Sequence, residues 1–146
     1  MTALERIKEW IGTFPGFDIL SAFQVDYTSQ APNNGGLFPA GLVEVDRRED
    51  ILGNVEVINQ YNFGIYYVLT KSVGDDEGSQ ANADWLMEFQ EWVQEQSTLK
   101  MAPTFGDEPG REQITAQNGI LYEADDGTAT YMVQLSVTFI KRYEVN

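Results

Sequence analysis

Carboxylates are the only side chains in this sequence numerous enough to suggest acid–base or metal chemistry. There are 23 Asp and Glu against 9 Lys and Arg, with no His and no Cys, for a formal net charge of −14 over 146 residues. Absent Cys removes disulfides and thiolate nucleophiles. Absent His removes the commonest general acid–base group and the commonest transition-metal ligand. What remains is oxygen chemistry. Three acidic clusters stand out: Asp75-Asp76-Glu77, Asp107-Glu108 and Asp125-Asp126. Oxygen ligands suit Ca²⁺ or Mg²⁺, yet none of the three has the D-x-[DN]-x-[DN]-G spacing of a calcium loop, so each reads as a solvated turn. A glycosidase would need two carboxyls facing one another across a cleft, and a chain this acidic supplies such pairs by chance. Neither G-x-x-x-x-G-K-[ST] nor G-x-G-x-x-G occurs, so no phosphate-cradling loop is present. No catalytic, cofactor or metal residues are assigned.

The bases are scarce. Arg47-Arg48 and Lys141-Arg142 are the only adjacent pairs. They read as surface charge, with Arg47 in a cross-strand ion pair, or alternatively as anchors for the acidic face of a neighbouring subunit. Tyr61, Tyr66, Tyr67, Tyr122 and Tyr131 fall on predicted strands, where they could stack single-stranded nucleic acid. A net charge of −14 opposes that, because such a chain repels phosphate. Core packing is the simpler role.

Among the elements, Asn82–Gln96 has the strongest pattern. Trp85, Phe89, Trp92 and Gln96 recur at helical spacing, with Leu86 and Val93 beside them and Asp84, Glu88, Glu91 and Glu95 pointing elsewhere. Ser79 or Asn82 is the expected cap, and the acidic stretch Gly74–Ser79 a loop leading into it. Thr2–Gly12 reads as a short helix, with Thr2 and Glu5 in capping-box spacing and Leu4, Ile7 and Ile11 on one face.

Strands are expected at Phe17–Tyr27, Leu42–Asp46, Asn54–Lys71 (one long strand or a strand pair), Arg111–Glu123 and Thr130–Tyr143, the first, third and last from period-two alternation. Gly64 marks a possible bend or bulge in the third, and Asn118-Gly119 an interruption in the fourth. Thr28–Gly41, rich in Pro, Gly and Asn, reads as a long loop, Arg47–Gly53 as a turn, and Asp125-Asp126-Gly127 as a hairpin turn. The order α-β-β-β-α-β-β predicts one α+β domain over residues 1–146. It comprises a small, mainly antiparallel sheet with the N-terminal helix and the longer amphipathic helix on one face. No stretch approaches a membrane span, and the charged N-terminal residues do not read as a signal peptide. A cytosolic protein is the expectation.

Several segments together resemble the tail terminator (tail completion) proteins of Gram-positive phages and prophages. They are L-E-R-I-K-E-W-I, F-Q-V-D-Y, Q-Y-N-F-G-I-Y-Y-V-L-T-K-S, W-L-M-E-F-Q-E-W-V-Q-E-Q and N-G-I-L-Y-E-A-D-D-G-T-A-T-Y-M-V-Q-L-S-V-T-F. The resemblance covers most of the chain outside Gln30–Gly41 and Met101–Arg111. It implies a non-enzymatic virion protein at the neck end of the tail, residing in the host cytoplasm before assembly. Six copies would form a ring on the last ring of tail-tube protein, end tube growth and present a surface to the head–tail connector or stopper. Genomic DNA would only pass through the lumen, and an acidic wall would keep it from sticking. No cofactor and no membrane partner are implied. Ring contacts are expected on the Gln30–Gly41 loop with Asn33 and Asn34, on the Arg47-Arg48 turn and on the Asp125-Asp126 turn. Rival readings are another neck or tail-tube protein such as a head-completion stopper, an acidic DNA-mimic inhibitor, and a carboxylate-dependent hydrolase.

Overall fold

A computed structural model describes residues 2–20, 22–25, 34–70, 76–125 and 128–145. The chain begins with α1 (Ala3–Ile11). Thr2 caps it: the Thr2 Oγ1 accepts from the Glu5 N–H, and the Glu5 side chain accepts from the Thr2 N–H. Both bonds of the capping box are therefore made, and two of the otherwise unsatisfied N-terminal donors are paired. Ile7, Trp10 and Ile11 form the buried face, and Gly12 ends the helix.

The next segment departs from expectation. Pro15–Ile19 is a 3-10 turn, and strand β1 is confined to Ala22–Val25. Pro15 sets the φ of a first helical position, which favours the turn over a strand. The Trp85 Nε1–H holds it by donating to the Gly16 carbonyl at 2.9 Å. Asp26 and Tyr27 lie outside the described residues.

Strand β2 (Asn34–Glu49), strand β3 (Val55–Thr70), helix α2 (Asp76–Thr98), strand β4 (Gln113–Asp125) and strand β5 (Thr128–Tyr143) follow. The sheet order is β1-β2-β3-β5-β4. Only the β1–β2 pair is parallel; the other three pairs are antiparallel. The α+β class and its mainly antiparallel sheet agree with the sequence reading.

The second strand is much longer than Leu42–Asp46. It absorbs the end of the expected loop, from Asn34, and the start of the expected turn, through Arg47, Arg48 and Glu49. Its pairing with β3 is interrupted by register shifts at Pro39/Gly41 and at Glu44/Asp46. Each shift moves later residues to the opposite face, which hides the two-residue period. Gly41, with φ of +102°, supplies a backbone conformation that a side chain would resist. Gly64, by contrast, marks no bulge in β3: its partners Gln134 and Phe38 fall in unbroken register with their neighbours on β3.

Helix α2 starts six residues earlier than Asn82, so Ser79 and Asn82 lie within it rather than capping it. Asp76 and Glu77 belong to its first turn, where the helix dipole favours carboxylates, and not to a loop. At the other end the Met101 N–H reaches back to the Gln96 carbonyl at 2.8 Å, with Lys100 at φ of 59°. This is a left-handed helix stop of the Schellman kind, with Lys where Gly is usual.

Both helices pack on one face of the sheet. The core joins Ile7, Trp10 and Ile11 of α1 to Leu86, Phe89 and Val93 of α2 over Phe63, Ile65, Tyr67, Val133, Leu135 and Val137. Trp10 stacks on Trp92 at 4.6 Å, and Phe14 sits edge-on to Trp85 and Phe89. Gln96, the last residue of the helical stripe, accepts from the Trp10 Nε1–H at 3.1 Å. The polar end of that stripe therefore satisfies the indole that the aromatic layer buries.

Candidate interaction surfaces

The opposite face of the sheet is polar but ordered. Asn62 Oδ1 accepts from the Gln60 amide and from the Ser136 hydroxyl, both at 2.9 Å. Thr138, beside them in register with Gln60, donates to the Gln113 carbonyl at 3.3 Å. Phe38 meets Tyr66 edge-to-face at 5.2 Å on the same face. This is the Thr-, Ser- and Gln-bearing side expected of β5, and its hydrogen bonds fix the side chains that a neighbour would meet.

The two outer edges of the sheet differ. Strand β4 forms one edge, and α2 lies against it. Ser97 Oγ accepts from the Ile114 N–H at 3.1 Å, and Gln90 Nε2 donates to the Ala116 carbonyl at 3.5 Å. Where β4 has not yet begun, the segment before it covers β5 instead. The Asp107 N–H donates to the Ile140 carbonyl at 2.9 Å, and Asp107 Oδ2 accepts from the Arg142 N–H at 2.7 Å. Gly106 permits this approach, since a Cβ there would lie 2.2 Å from the Ile140 carbonyl oxygen. Glu112, buried, steadies the same segment by accepting from the N–H groups of Phe105 at 3.0 Å and Gly106 at 3.5 Å.

The β2 edge has no such cover among the described residues. Among the described residues strand β1 pairs with Asn34–Leu37 alone. Among the described residues no strand pairs the outer side of β2 from Phe38 to Glu49. Along it Leu42, Val43 and Val45 are exposed, and Ile51 and Leu52 stand out at the hairpin tip. Asp50 builds that tip, with its Oδ1 accepting from the N–H groups of Leu52 and Asn54 at 2.8 and 3.0 Å. The Asn54 N–H is the main cause holding the Asp50 carboxyl below the usual carboxylate range.

The expected interface residues do not gather in one place. Arg47 and Arg48 lie on the exposed part of β2 and not at a turn. Arg47 pairs with Glu44 at 2.8 Å and Arg48 with Asp46 at 3.5 Å, both along their own strand, so the cross-strand partner expected for Arg47 is replaced by a neighbour. The bulge causes this, because it brings Glu44 and Arg47 to the same face. Asn34 is buried at the start of β2 and belongs to the strand. Asp125 ends β4, while Asn33 and Asp126 lie outside the described residues.

Asp107-Glu108 is no freely solvated turn. Glu108 pairs with Arg111 at 2.9 Å and also with Arg142, which in turn pairs with Glu56 at 3.3 Å. Lys141 pairs with Asp107 at 3.4 Å. The Lys141-Arg142 pair is thus engaged within its own chain and is not held ready for a neighbour. The Arg142 N–H is the first cause holding the Asp107 carboxyl below its usual range; the charges of Lys141 and Arg142 add to it, and desolvation opposes it.

A hollow between the β2–β3 turn and the end of β5 is lined by Arg48, Asp50, Glu56, Arg142 and Glu144. Asp50 is committed to its turn and Glu56 to Arg142, so this hollow joins elements of the fold. No group of three or more potential metal-binding side chains occurs among the described residues. No described helix is long and apolar enough to cross a membrane. Neither protein-family models nor curated proteins yield a match to this chain.

The open β2 edge and the covered β4 edge escaped sequence reasoning. Val43 and Val45 were a signal for the former, blurred by Pro39 and Gly41. The latter depends on Ser97, Gln90 and Asp107, whose partners are remote in sequence and have no local signature.

Proposed function

We propose that this chain is a structural virion protein that closes off a phage or prophage tail tube. One observation carries the reading. The segments that resemble tail terminator proteins, from α1, β3, α2, β4 and β5, converge on a single core in the expected order. Six copies would form a ring on the last tube subunits, stop their addition and receive the head connector. The acidic surface favours passage of DNA through such a ring, since like charge removes counterion release as a source of attraction. The exposed row Asp84, Glu88 and Glu91 on α2 contributes to that surface.

Particles made in a host lacking this gene test the proposal. Overlong, headless tails of variable length, seen by electron microscopy, are the expected result. Tails of normal length that fail to join full heads would move the protein to the connector side of the joint, as a head-completion stopper. Normal infectious particles would overturn the structural reading.

A further inference from the structure

We propose that the open edge of β2 is a docking surface for a second copy of this chain, and that the free protein forms a two-fold dimer by antiparallel β2–β2 pairing. This goes beyond the tail-closing role and does not depend on it.

The asymmetry of the sheet narrows the choice of partner edge. A head-to-tail chain of copies would need β2 of one molecule to meet β4 of the next. Ser97 and Gln90 already occupy backbone groups of Ile114 and Ala116 on that edge, and Asp107 occupies those of Ile140 and Arg142 beside it. The β2 edge from Phe38 to Glu49 has no equivalent cover among the described residues. Unpaired strand edges carry rows of donors and acceptors that recruit other strands. These contacts hinder pairing with the start of β4 and the end of β5, which favours the β2 edge of a second copy as the partner.

The charges on this strand complement themselves. Glu44 pairs in register with Asn59 and Arg47 with Val57, so the bulge at Val45 puts Glu44 and Arg47 on the helix-bearing face. Asp46 and Arg48 pair with Ile58 and Glu56 and lie on the other face. In a two-fold antiparallel pair centred between Val45 and Asp46, Glu44 of each copy faces Arg47 of the other. Leu42 then faces Glu49, and Val43 faces Arg48. Facing residues share a face throughout, and no like charges are opposed. Sliding the strands to put Asp46 opposite Arg48 sets Arg47 against Arg47. Putting Arg47 opposite Glu49 sets Arg48 against Arg48. Like charges directly opposite are destabilising, so the charge pattern favours the first register over these two. In a chain of net charge −14, a segment that is its own electrostatic partner is unlike the remaining acidic surface.

Sedimentation equilibrium on the full chain, with Glu44→Arg, Arg47→Glu and the double exchange, tests this. The wild-type protein is expected to dimerise. Each single reversal opposes like charges twice by symmetry and should weaken the dimer roughly tenfold or more. The double exchange restores both facing pairs and should recover it. Circular dichroism of each variant is expected to match wild type, because both side chains are exposed and the changes leave the core alone. A wild-type protein that stays monomeric at every concentration overturns the proposal. So does a dimer that ignores both reversals, or one that the double exchange fails to restore.

Discussion

Tyr67 is the residue whose environment is most at odds with its chemistry. It is fully buried between Trp85, 4.6 Å away, and Phe89, and its hydroxyl has no hydrogen-bond partner among the described residues. Burial pushes the phenol well above its ordinary value. Tyr67→Phe removes an unsatisfied buried hydroxyl while keeping the ring, and should stabilise the fold by about 1 kcal/mol in denaturant unfolding. The pH dependence follows. A phenol whose folded pKa is raised favours the folded state only while it is neutral. Its contribution is intact below the unfolded value of about 10 and is lost as pH rises above it. The alkaline fall in stability should therefore be shallower in Tyr67→Phe, which thermal melts between pH 8 and about 11 would show.

At the scale of elements, legibility follows locality. The α2 stripe and the Thr2–Glu5 cap were readable because the residues that satisfy one another sit three or four apart. Strand β5 was readable because it alternates without a break. Strand β2 was not, because two bulges reverse its parity and Gly35, Gly36, Pro39 and Gly41 imitate a loop. The start of α2 was hidden for a related reason: Asp76, Glu77 and Gly78 are ordinary loop residues, though carboxylates are favoured in the first turn of a helix by its dipole. Of the candidate interface residues, Arg47 and Arg48 are exposed, but their strand setting depends on the same bulges. The segment before β4 shows the remote case, since nothing local marks Gly106 as the point of contact with Ile140. Gly106→Ala should cost about 1–3 kcal/mol, because the added methyl collides with backbone and not with a movable side chain. Hydrogen exchange should quicken at the amides of Asp107 and Arg142 before it does so in the core, since those two amides form the clip.

For the whole molecule, the arrangement of two helices on one face leaves association to the other face and to the sheet edges. Helix α2 therefore does two jobs: its aromatic stripe builds the core, and Ser97 and Gln90 close an edge. The double variant Ser97→Ala/Gln90→Ala leaves that stripe untouched. It should lose about 1–2 kcal/mol, because the Ile114 N–H is left buried without its acceptor. It should also form larger species than wild type as concentration rises, measured by light scattering. Retention of the wild-type size distribution would mean that packing alone protects β4.

Sheet assembly can be counted as valence. A molecule with two free edges is bifunctional, and strand addition among such molecules propagates into fibres. Here Ser97, Gln90 and Asp107 occupy the start of β4 and the end of β5, so strand addition is hindered there while β2 stays open among the described residues. Two sheets joined through β2 turn these occupied ends outward. Growth stops there, as it does for a monomer with one reactive group in a condensation polymer.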